Sequence, residues 1–590
     1  MEKDRLLKLV EAYQEHFKQY NRPDYNETEV RNDFVNPFFE ILGWDVQNKK
    51  NLPQHLREVK HEASVFVEEN GKQVKKKPDY EFHVGSTPYF FLETKKPNVD
   101  IMTSKEAAFQ TRRYGWNGNL EISVLSNFTD LVIYDTSVRP EENDKPSVAQ
   151  VAHFHFTEYV DKFDEISRLL SYETVISGDF EKTFANISSS LKKEPFDKYF
   201  LSQIKKWRLV LSKDIIKHNS IVKQGTLNIF VQKLINRIVF LRICEDRELE
   251  KYESLKNIGT YAELKRVFVA ADKKYDSGLF ELIEAEQFEI SDSILVDIFK
   301  ELYYPNSCYE FSIVDPFIIG QIYELFLEEE IVIKDGIVVA ERKPEIVDSQ
   351  GVVNTPKNIA DIIVKTTLAP LFSDEKFTEW DSYRIADICC GSGNFLLSAY
   401  EFIINRYIEY YMKNSLDMAI QKGLLISDVG NNFKLSYEKK REILRNNIWG
   451  VDIDILAVEV AKFSLLIKLI EDSSLYEMES FAKNNNCRIL PSLDNNIKNG
   501  NSLVDEKYIE FNSNILNDPE MVEKIKIFNW ENEFAGEKFD AIVGNPPYIR
   551  VQNMVHFSEN EYEYYKSAVS KYEMAKSDLL DKYFLFMEKG

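Results

Sequence analysis

Apolar residues along this chain change their spacing three times. In MEKDRLLKLVEAYQEHF they recur three and four positions apart, which predicts an amphipathic helix. They then gather in short runs, VFVEENGKQVKKKPDYEFHV, PYFFLETKK, EISVLSN, LVIYDT and AQVAHFHF, mostly separated by turn residues or a helix, as strands are. From about residue 161 to 345 helical spacing returns, clearest in LNIFVQKLINRIVFLRICEDREL and FIIGQIYELFLEEEIV. From about 346 onward strand and helix alternate: RIADICC, a long helix, NNIWGVDI, another helix, KNGNSLV and FDAIVG. A βαβα order of this kind predicts a mostly parallel sheet covered by helices. Three regions follow, 1–160, 161–345 and 346–590. The pattern at SDLLDKYFLFMEKG breaks off within an apolar-faced helix that has no stop signal, so the sequence predicts continuation past Gly590.

Composition changes this picture little. A chain of 590 residues, 44% hydrophobic and 29% charged, is ordinary globular material with room for several cores. Its five cysteines, Cys244, Cys308, Cys389, Cys390 and Cys487, form no CxxC pair, which argues against a disulfide framework or a zinc site. No signal peptide or membrane-spanning run is visible, so a cytoplasmic protein without a membrane partner is expected. The net charge of −23 argues mildly against nucleic acid, although a local groove can be basic on an acidic protein.

The candidate chemistry starts at FDAIVGNPPYIR, where an apolar strand runs directly into Asn-Pro-Pro-Tyr. Two prolines make the exit from the strand rigid. They aim the Asn545 side-chain oxygen and the Pro546 carbonyl at one point beyond the strand end, where open α/β sheets bind ligands. Two acceptors at one point suit an exocyclic amino group such as N6 of adenine. They favour a pyramidal nitrogen whose lone pair faces an incoming methyl group. Tyr548 can stack on the base, worth roughly 1–3 kcal/mol, and the base must be flipped out of a duplex to arrive. Four residues alone are equally well read as a proline-rich turn.

The rest of the region weighs against that plainer reading. DICCGSGNF follows a strand and precedes a helix; Gly391 and Gly393 permit close backbone approach and Asp387 can accept from an ammonium or hydroxyl. WGVDID places Asp452 at a second strand end, suited to a ribose diol. NGNSLV supplies Asn501 at a third, and VVNTPKNIADIIV supplies Thr355 before a helix. Taken in order, NTP, DICCGSGNF, GVDID, GNSL and NPPY resemble the motifs of S-adenosylmethionine-dependent N6-adenine methyltransferases. The resemblance implies cofactor contacts from Thr355, Asp387, Gly391, Gly393, Asp452 and Asn501, and a catalytic set of Asn545, Pro546 and Tyr548. The chain departs from that family in having Ile388 and Cys389 where Pro-Ala is commoner, which bears only on fine positioning.

A second constellation lies near the front, in KPDYEFHV and PYFFLETKKP. Glu93 and Lys95 are two apart on a strand and share a face; Asp79 on a neighbouring strand would join them. Two carboxylates and an ammonium could hold Mg²⁺ and polarise a water for attack on a phosphodiester. By itself the pattern is more often a solvated strand edge. FQTRRYGW adds Gln110 and Tyr114 at i and i+4 on a helix, with Arg112 and Arg113 available for phosphates, and NETEVRNDF adds Glu29. The set Glu29, Asp79, Glu93-x-Lys95, Gln110 and Tyr114 resembles the PD-(D/E)XK nucleases in their QxxxY form. That resemblance implies Asp79 and Glu93 as metal ligands, Lys95 as catalytic, and Glu29 and Gln110 as supporting residues.

In the middle region Arg237, Arg242, Glu245, Asp246 and Arg247 read as paired charges on a connector helix, and His153 and His155 as packing residues. The order as a whole resembles the single-chain type IIG restriction–modification enzymes. The resemblance implies a multidomain α/β chain: a PD-(D/E)XK nuclease α/β domain, an α-helical connector and a Rossmann-like methyltransferase with an incomplete sheet. It implies Mg²⁺ and S-adenosylmethionine as cofactors, double-stranded DNA as partner, and transient self-association for cutting both strands. In that family a further carboxyl-terminal domain reads the sequence, so the 590 residues alone are expected to show little sequence-specific activity. Three alternatives stay open: a modification-only methyltransferase of a phage-defence system with an inactive or regulatory nuclease domain, a glutamine-methylating protein methyltransferase, and a DNA-binding scaffold.

Overall fold

The computed structural model describes residues 2–61, 66–69, 72–75, 77–185, 191–219, 222–275, 278–281, 287–343, 355–428, 432–550, 554–555, 558–576 and 581–590. It divides into two compact units. Residues 1–200, 242–256 and 299–315 form the first; residues 201–241, 257–298 and 316–590 form the second.

The first unit is built on a six-stranded sheet in the order Val59–His61, Tyr80–Val84, Thr87–Thr94, Ile122–Ser126, Asp130–Asp135, Gln150–His155. Thr87–Thr94 and Ile122–Ser126 run parallel, joined by the helix Lys105–Asn117; the other neighbours pair antiparallel. A parallel pair needs such a crossover, and Ser104 caps the helix by accepting from the Ala107 amide at 3.2 Å. One face of the sheet is covered by the helix Glu2–Glu15, which buries Leu6, Val10 and Tyr13 at helical spacing. Phe82 and Phe90 stack at 4.4 Å and Trp44 packs edge-on against both. The buried Trp44 indole donates to the Leu170 carbonyl at 2.7 Å. The long run read as one strand from Val65 is divided: Phe66–Glu69 and Lys72–Lys75 pair as a hairpin, and Tyr80–Val84 joins the main sheet. Residues 65, 70–71 and 76 of that run lie outside the described residues.

Arg112 and Arg113 are not available for phosphates. Arg112 is buried against Asp144 at 2.6 Å, and Arg113 donates to the carbonyls of Cys308 and Tyr309 and pairs with Glu310. The side chains stand on the packed flank of the helix, where a guanidinium can satisfy several acceptors at once.

The second unit carries a four-stranded parallel sheet in the order Ile497–Asn499, Ile448–Asp452, Ile385–Asp387, Ala541–Ile542. The helices Asn394–Asn414 and Ile455–Ile470 follow the two central strands, as expected of a doubly wound α/β fold. The region read as helical between 161 and 345 is helical in large part, with Phe196–His218, Gln224–Asp246, Tyr261–Tyr275 and Pro316–Leu327 among its helices. It departs from that reading at Glu329–Lys334 and Ile337–Arg342, which form an antiparallel hairpin. The turn is Asp335-Gly336, both at positive φ, and the flanking IVI and IVV favour strands. In the first unit Arg242 pairs with Asp246 at 2.6 Å, the i→i+4 contact expected, but the pair is buried; in the second, Arg237 donates to the carbonyls of Leu279 and Glu281. The cysteines are all free thiols, and among the described residues no helix is long and apolar enough to cross a membrane.

Candidate active sites

In the second unit the strand ends decide the site. Register places Asp387 beside Gly450 and Asp452 beside Asn499, so both aspartates emerge at the carboxyl edge of the sheet. The turn after Asp387 is held from two sides. Asp452 accepts from the Gly391 amide and from the Asp454 amide, each at 2.9 Å, and Asp387 accepts from the Cys389 amide at 3.0 Å. Gly393 has φ +88°, and a Cβ there would lie 3.0 Å from the Ala461 Cβ, so a side chain would meet both strain and a neighbour.

The segment 543–548 enters the same edge. The Val543 amide donates to the Ala386 carbonyl at 2.9 Å, which brings Gly544 against Asp387. A Cβ on Gly544 would stand 2.5 Å from the Asp387 Oδ1, so this approach requires glycine. Asn545 is then fixed on both sides: its Nδ2 donates to Thr355 Oγ1 at 3.0 Å and its Oδ1 accepts from the Tyr548 hydroxyl at 2.9 Å. Tyr548 is 55% exposed, its ring 5.8 Å from that of Tyr583, and an exposed aromatic of this kind can serve as a stacking platform.

Thr355, Asp387, Gly391, Asp452, Asn501, Asn545, Pro546 and Tyr548 all line one cavity of about 420 Å³. That is within the usual range for a small-molecule site. Gly393 stands beside it at the start of the helix Asn394–Asn414. The described residues ahead of Thr355 resume only at position 343, so Asn354 of the NTP motif lies outside them. Asn501 reaches the cavity, but its amide is committed to the chain: Nδ2 donates to Glu561 at 2.7 Å and Oδ1 accepts from the Leu503 amide at 3.1 Å.

The electrostatics of this cavity are acidic. Burial pushes the Asp387 carboxyl up to about 7, with the Asp452 and Glu324 charges adding to the shift. Burial likewise pushes Asp452 up to about 6, against a lowering pull from Lys343. Carboxylates short of compensating charge, a glycine turn and an aspartate placed for a diol make a donor set suited to a cationic nucleoside.

In the first unit, Tyr80 pairs with Leu92, so Asp79 lies one step further on, across from Glu93. Lys95 donates to Glu93 at 2.7 Å and to the Gln110 carbonyl oxygen at 3.2 Å, and Gln110 donates to the Tyr114 hydroxyl at 2.9 Å. The structure therefore brings Asp79, Glu93, Lys95, Gln110 and Tyr114 together. Burial alone would lower the Lys95 ammonium, but Glu93, with Glu27 and Asp79 behind it, holds it above its ordinary value.

Glu29 has a different job in the structure. It completes a capping box, its carboxylate accepting from the Asn26 amide at 2.6 Å while Asn26 accepts from the Glu29 amide at 3.0 Å. Two residues escaped the sequence reading. Glu27, one step inside the cap, is the carboxylate of this turn that Lys95 feels. Arg31 sits in the π-helical turn Arg31–Val35 and is ion-paired with Asp79; its Nε donates to Thr94 Oγ1 at 2.7 Å. Thr94 in turn donates to Asp79 from its amide at 2.7 Å and from its hydroxyl at 2.6 Å. The capping signature N-x-x-E could have separated Glu29 from Glu27 in the sequence. Nothing in the pattern marks Arg31.

Mg²⁺ takes oxygen ligands and keeps several waters, so facing carboxylates such as Asp79 and Glu93 fit it. Among the described residues no group of three or more His, Cys, Asp or Glu is gathered as a ready metal cage.

Comparison with known proteins bears on both units. The Eco57I restriction-modification methylase model matches residues 446–590. The model of the type I restriction enzyme R protein N terminus matches residues 24–142. An Escherichia coli protein, the type II restriction enzyme and methyltransferase RM.Eco57I, is 39% identical over 598 aligned positions. The chain is similar to this restriction enzyme and methyltransferase along its whole length. That alignment takes in 100% of this chain and 56% of the relative, so the chain spans about half the relative's length. The adenine-specific methyltransferase PglX of Streptomyces coelicolor is 23% identical over 236 residues, 38% of this chain and 17% of that protein. Among solved structures, the type IIL restriction-modification enzyme MmeI in complex with DNA aligns with 66% of this chain and 48% of its own, at 12% identity and a TM-score of 0.39. A likeness of that size does not bear on the fold.

Proposed function

We propose that the chain joins a Mg²⁺-dependent PD-(D/E)XK nuclease to an S-adenosylmethionine-dependent N6-adenine methyltransferase, both acting on double-stranded DNA as a type IIG restriction–modification enzyme. Residues 1–160 would form the nuclease, 161–345 the connector and 346–590 the methyltransferase, in a cytoplasmic protein that self-associates transiently to cut both strands. The observation that carries the reading is the link Thr355–Asn545–Tyr548, in the same cavity as Asp387, Gly391 and Asp452.

S-adenosylmethionine supplies an electrophilic methyl group. Asp452 would hold the ribose hydroxyls, and Asp387 with the Gly391–Gly393 turn the methionine end; Asn501, through Glu561, shapes the adenine side. Asn545 Oδ1 and the Pro546 carbonyl accept the two amino hydrogens of a flipped adenine, which frees the N6 lone pair for attack. The Oδ1 has a second lone pair, so the hydroxyl contact from Tyr548 need not break for this to happen. Thr355 keeps the amide from rotating its nitrogen toward the base.

At the front site the metal supplies positive charge and polarises water. Asp79 and Glu93 would bind it, Lys95 would orient the water, and Gln110, itself bonded to Tyr114, would hold Lys95 beside Glu93. The ion pair between Arg31 and Asp79 favours a second reading, modification with an inactive or regulatory nuclease domain. Cleavage of unmodified DNA by the full-length gene product, with and without Mg²⁺, separates the two. Methyl transfer from labelled cofactor to adenine tests the methyltransferase half of the proposal; failure to bind the cofactor would end that half.

A further inference from the structure

Several residues of the cavity come from outside the strand-end motifs, Lys524, Glu561 and Lys582 among them, and Glu324 is the one bonded to the glycine turn. Glu324 lies on the helix Pro316–Leu327, in the stretch read as connector, yet it lines the cavity with Asp387, Gly391 and Asp452. The helix is docked there tightly. Gly320, one turn before Glu324, faces the first residue of the helix after the glycine turn: a Cβ on it would stand 2.8 Å from the Asn394 Oδ1. Glu324 Oε2 accepts from Asn394 Nδ2 at 2.9 Å and from Ser392 Oγ at 3.2 Å. Gly320 and Glu324 are therefore on one face, four residues apart, and both address the DICCGSGN turn.

Two features separate this from a simple tether. Among the described residues the hydrogen bonds to Glu324 use one carboxylate oxygen, Oε2, and the side chain lines the cavity. Asn394 and Ser392 are also neutral donors, so they orient the carboxylate without cancelling its charge. Burial pushes Glu324 up to about 7, with Asp452 and Glu328 adding to the shift.

We propose that Glu324 is a cofactor-binding residue that accepts a hydrogen bond from the α-ammonium of the methionine end of S-adenosylmethionine, clasping it against the glycine turn opposite Asp387. The inference rests on the methyltransferase reading above. It makes the helix Pro316–Leu327 part of the cofactor site, with Gly320 facing Asn394 and Glu324 supplying the charge.

The test is isothermal titration of the protein and of Glu324→Gln with S-adenosylmethionine, S-adenosylhomocysteine and 5′-methylthioadenosine, beside Asp452→Asn. The first two ligands carry the α-ammonium; the third keeps the nucleoside and lacks the amino acid. Glu324→Gln preserves the shape and the bonds from Asn394 and Ser392 while removing the charge. It should weaken both ammonium-bearing ligands about tenfold and leave 5′-methylthioadenosine unchanged. Asp452→Asn should weaken all three. Equal affinities for wild type and Glu324→Gln, or an equal loss for all three ligands, would overturn the assignment while leaving the cofactor reading intact. A wild-type protein that binds none of the three would overturn the cofactor reading and this inference with it.

Discussion

The two candidate sites hold their carboxylates in opposite ways. At the front, Asp79 is paired with Arg31 and Glu93 with Lys95, so each negative charge already faces a cation. In the cavity of the second unit, Asp387, Asp452 and Glu324 share one space, and each is pushed toward its protonated form. The difference follows from the ligand each would take. A site for a small divalent ion can be compensated by side chains that yield to the metal. A site for a large cationic nucleoside can keep carboxylates without a cation beside them: Lys582, which also lines this cavity, pairs with Glu561 and not with Asp387, Asp452 or Glu324. The first arrangement stabilises the empty protein; the second makes the ligand part of the stability.

The largest expected effect breaks the front pair. Arg31→Ala leaves the buried Asp79 without its guanidinium and should lower unfolding stability by about 3 kcal/mol, since removing one partner of a buried pair strands the other charge. Added Mg²⁺ should restore more stability in this variant than in wild type, read as the shift in thermal midpoint. Equal shifts would mean that Arg31 and the metal do not share Asp79.

Next comes the cavity's own geometry. Gly544→Ala puts a methyl group into the Asp387 carboxylate and should cost about 1–3 kcal/mol, with weaker S-adenosylmethionine binding in the same titration. Unchanged binding would show that the approach of segment 543–548 to Asp387 is not needed.

The pH dependence sharpens the contrast further. The cavity carboxyls have folded values raised to about 7, 6 and 7 for Asp387, Asp452 and Glu324. A raised carboxyl binds a proton more tightly when folded, so its contribution is present below the unfolded value near 4 and is lost as pH rises through 6 to 7. The groups that set these values are the three carboxyls themselves, Glu328 and Asp454, with Lys343 opposing at Asp452. The empty protein should lose stability over that window, while affinity for S-adenosylmethionine should rise as the carboxylates ionise. Affinity that is flat between pH 5.5 and 7.5 would contradict the acidic cavity.

The smallest effect separates two neighbours. Glu29→Ala removes a helix cap and should cost about 1 kcal/mol of stability with cleavage retained. Glu27→Gln should leave stability nearly unchanged and shift the alkaline limb of the cleavage profile downward, because Glu27 helps hold the Lys95 ammonium up.

What could be read from the sequence was what repeats at fixed local spacing. The strand-end positions of Asp387 and Asp452, the Glu93–Lys95 pair and the Gln110–Tyr114 contact follow from periods of two and four, and the structure brings each set together. What was missed depends on distant contacts. Arg31, in the π-helical turn, meets Asp79 from 48 residues away, and Glu324 meets Ser392 from 68 residues away. Arg112 and Arg113 look like a surface pair in sequence, and their acceptors are supplied by residues 139, 144 and 308–310. The hairpin 329–342 was hidden by the acidic run that precedes it, although its Asp-Gly turn was in plain view.

The central claim is that one polypeptide carries two separable chemistries, and a crossed pair of variants tests it most directly. The full-length gene product, Lys95→Ala and Asn545→Ala would each be given unmodified DNA, Mg²⁺ and labelled S-adenosylmethionine, with cleaved ends and methylated adenine scored in the same tube. Wild type should do both. Lys95→Ala should lose cleavage and keep methylation, and Asn545→Ala should lose methylation at least about a hundredfold and keep cleavage. Wild type that methylates without ever cutting would leave only the modification reading, and methylation that survives Asn545→Ala would contradict the account.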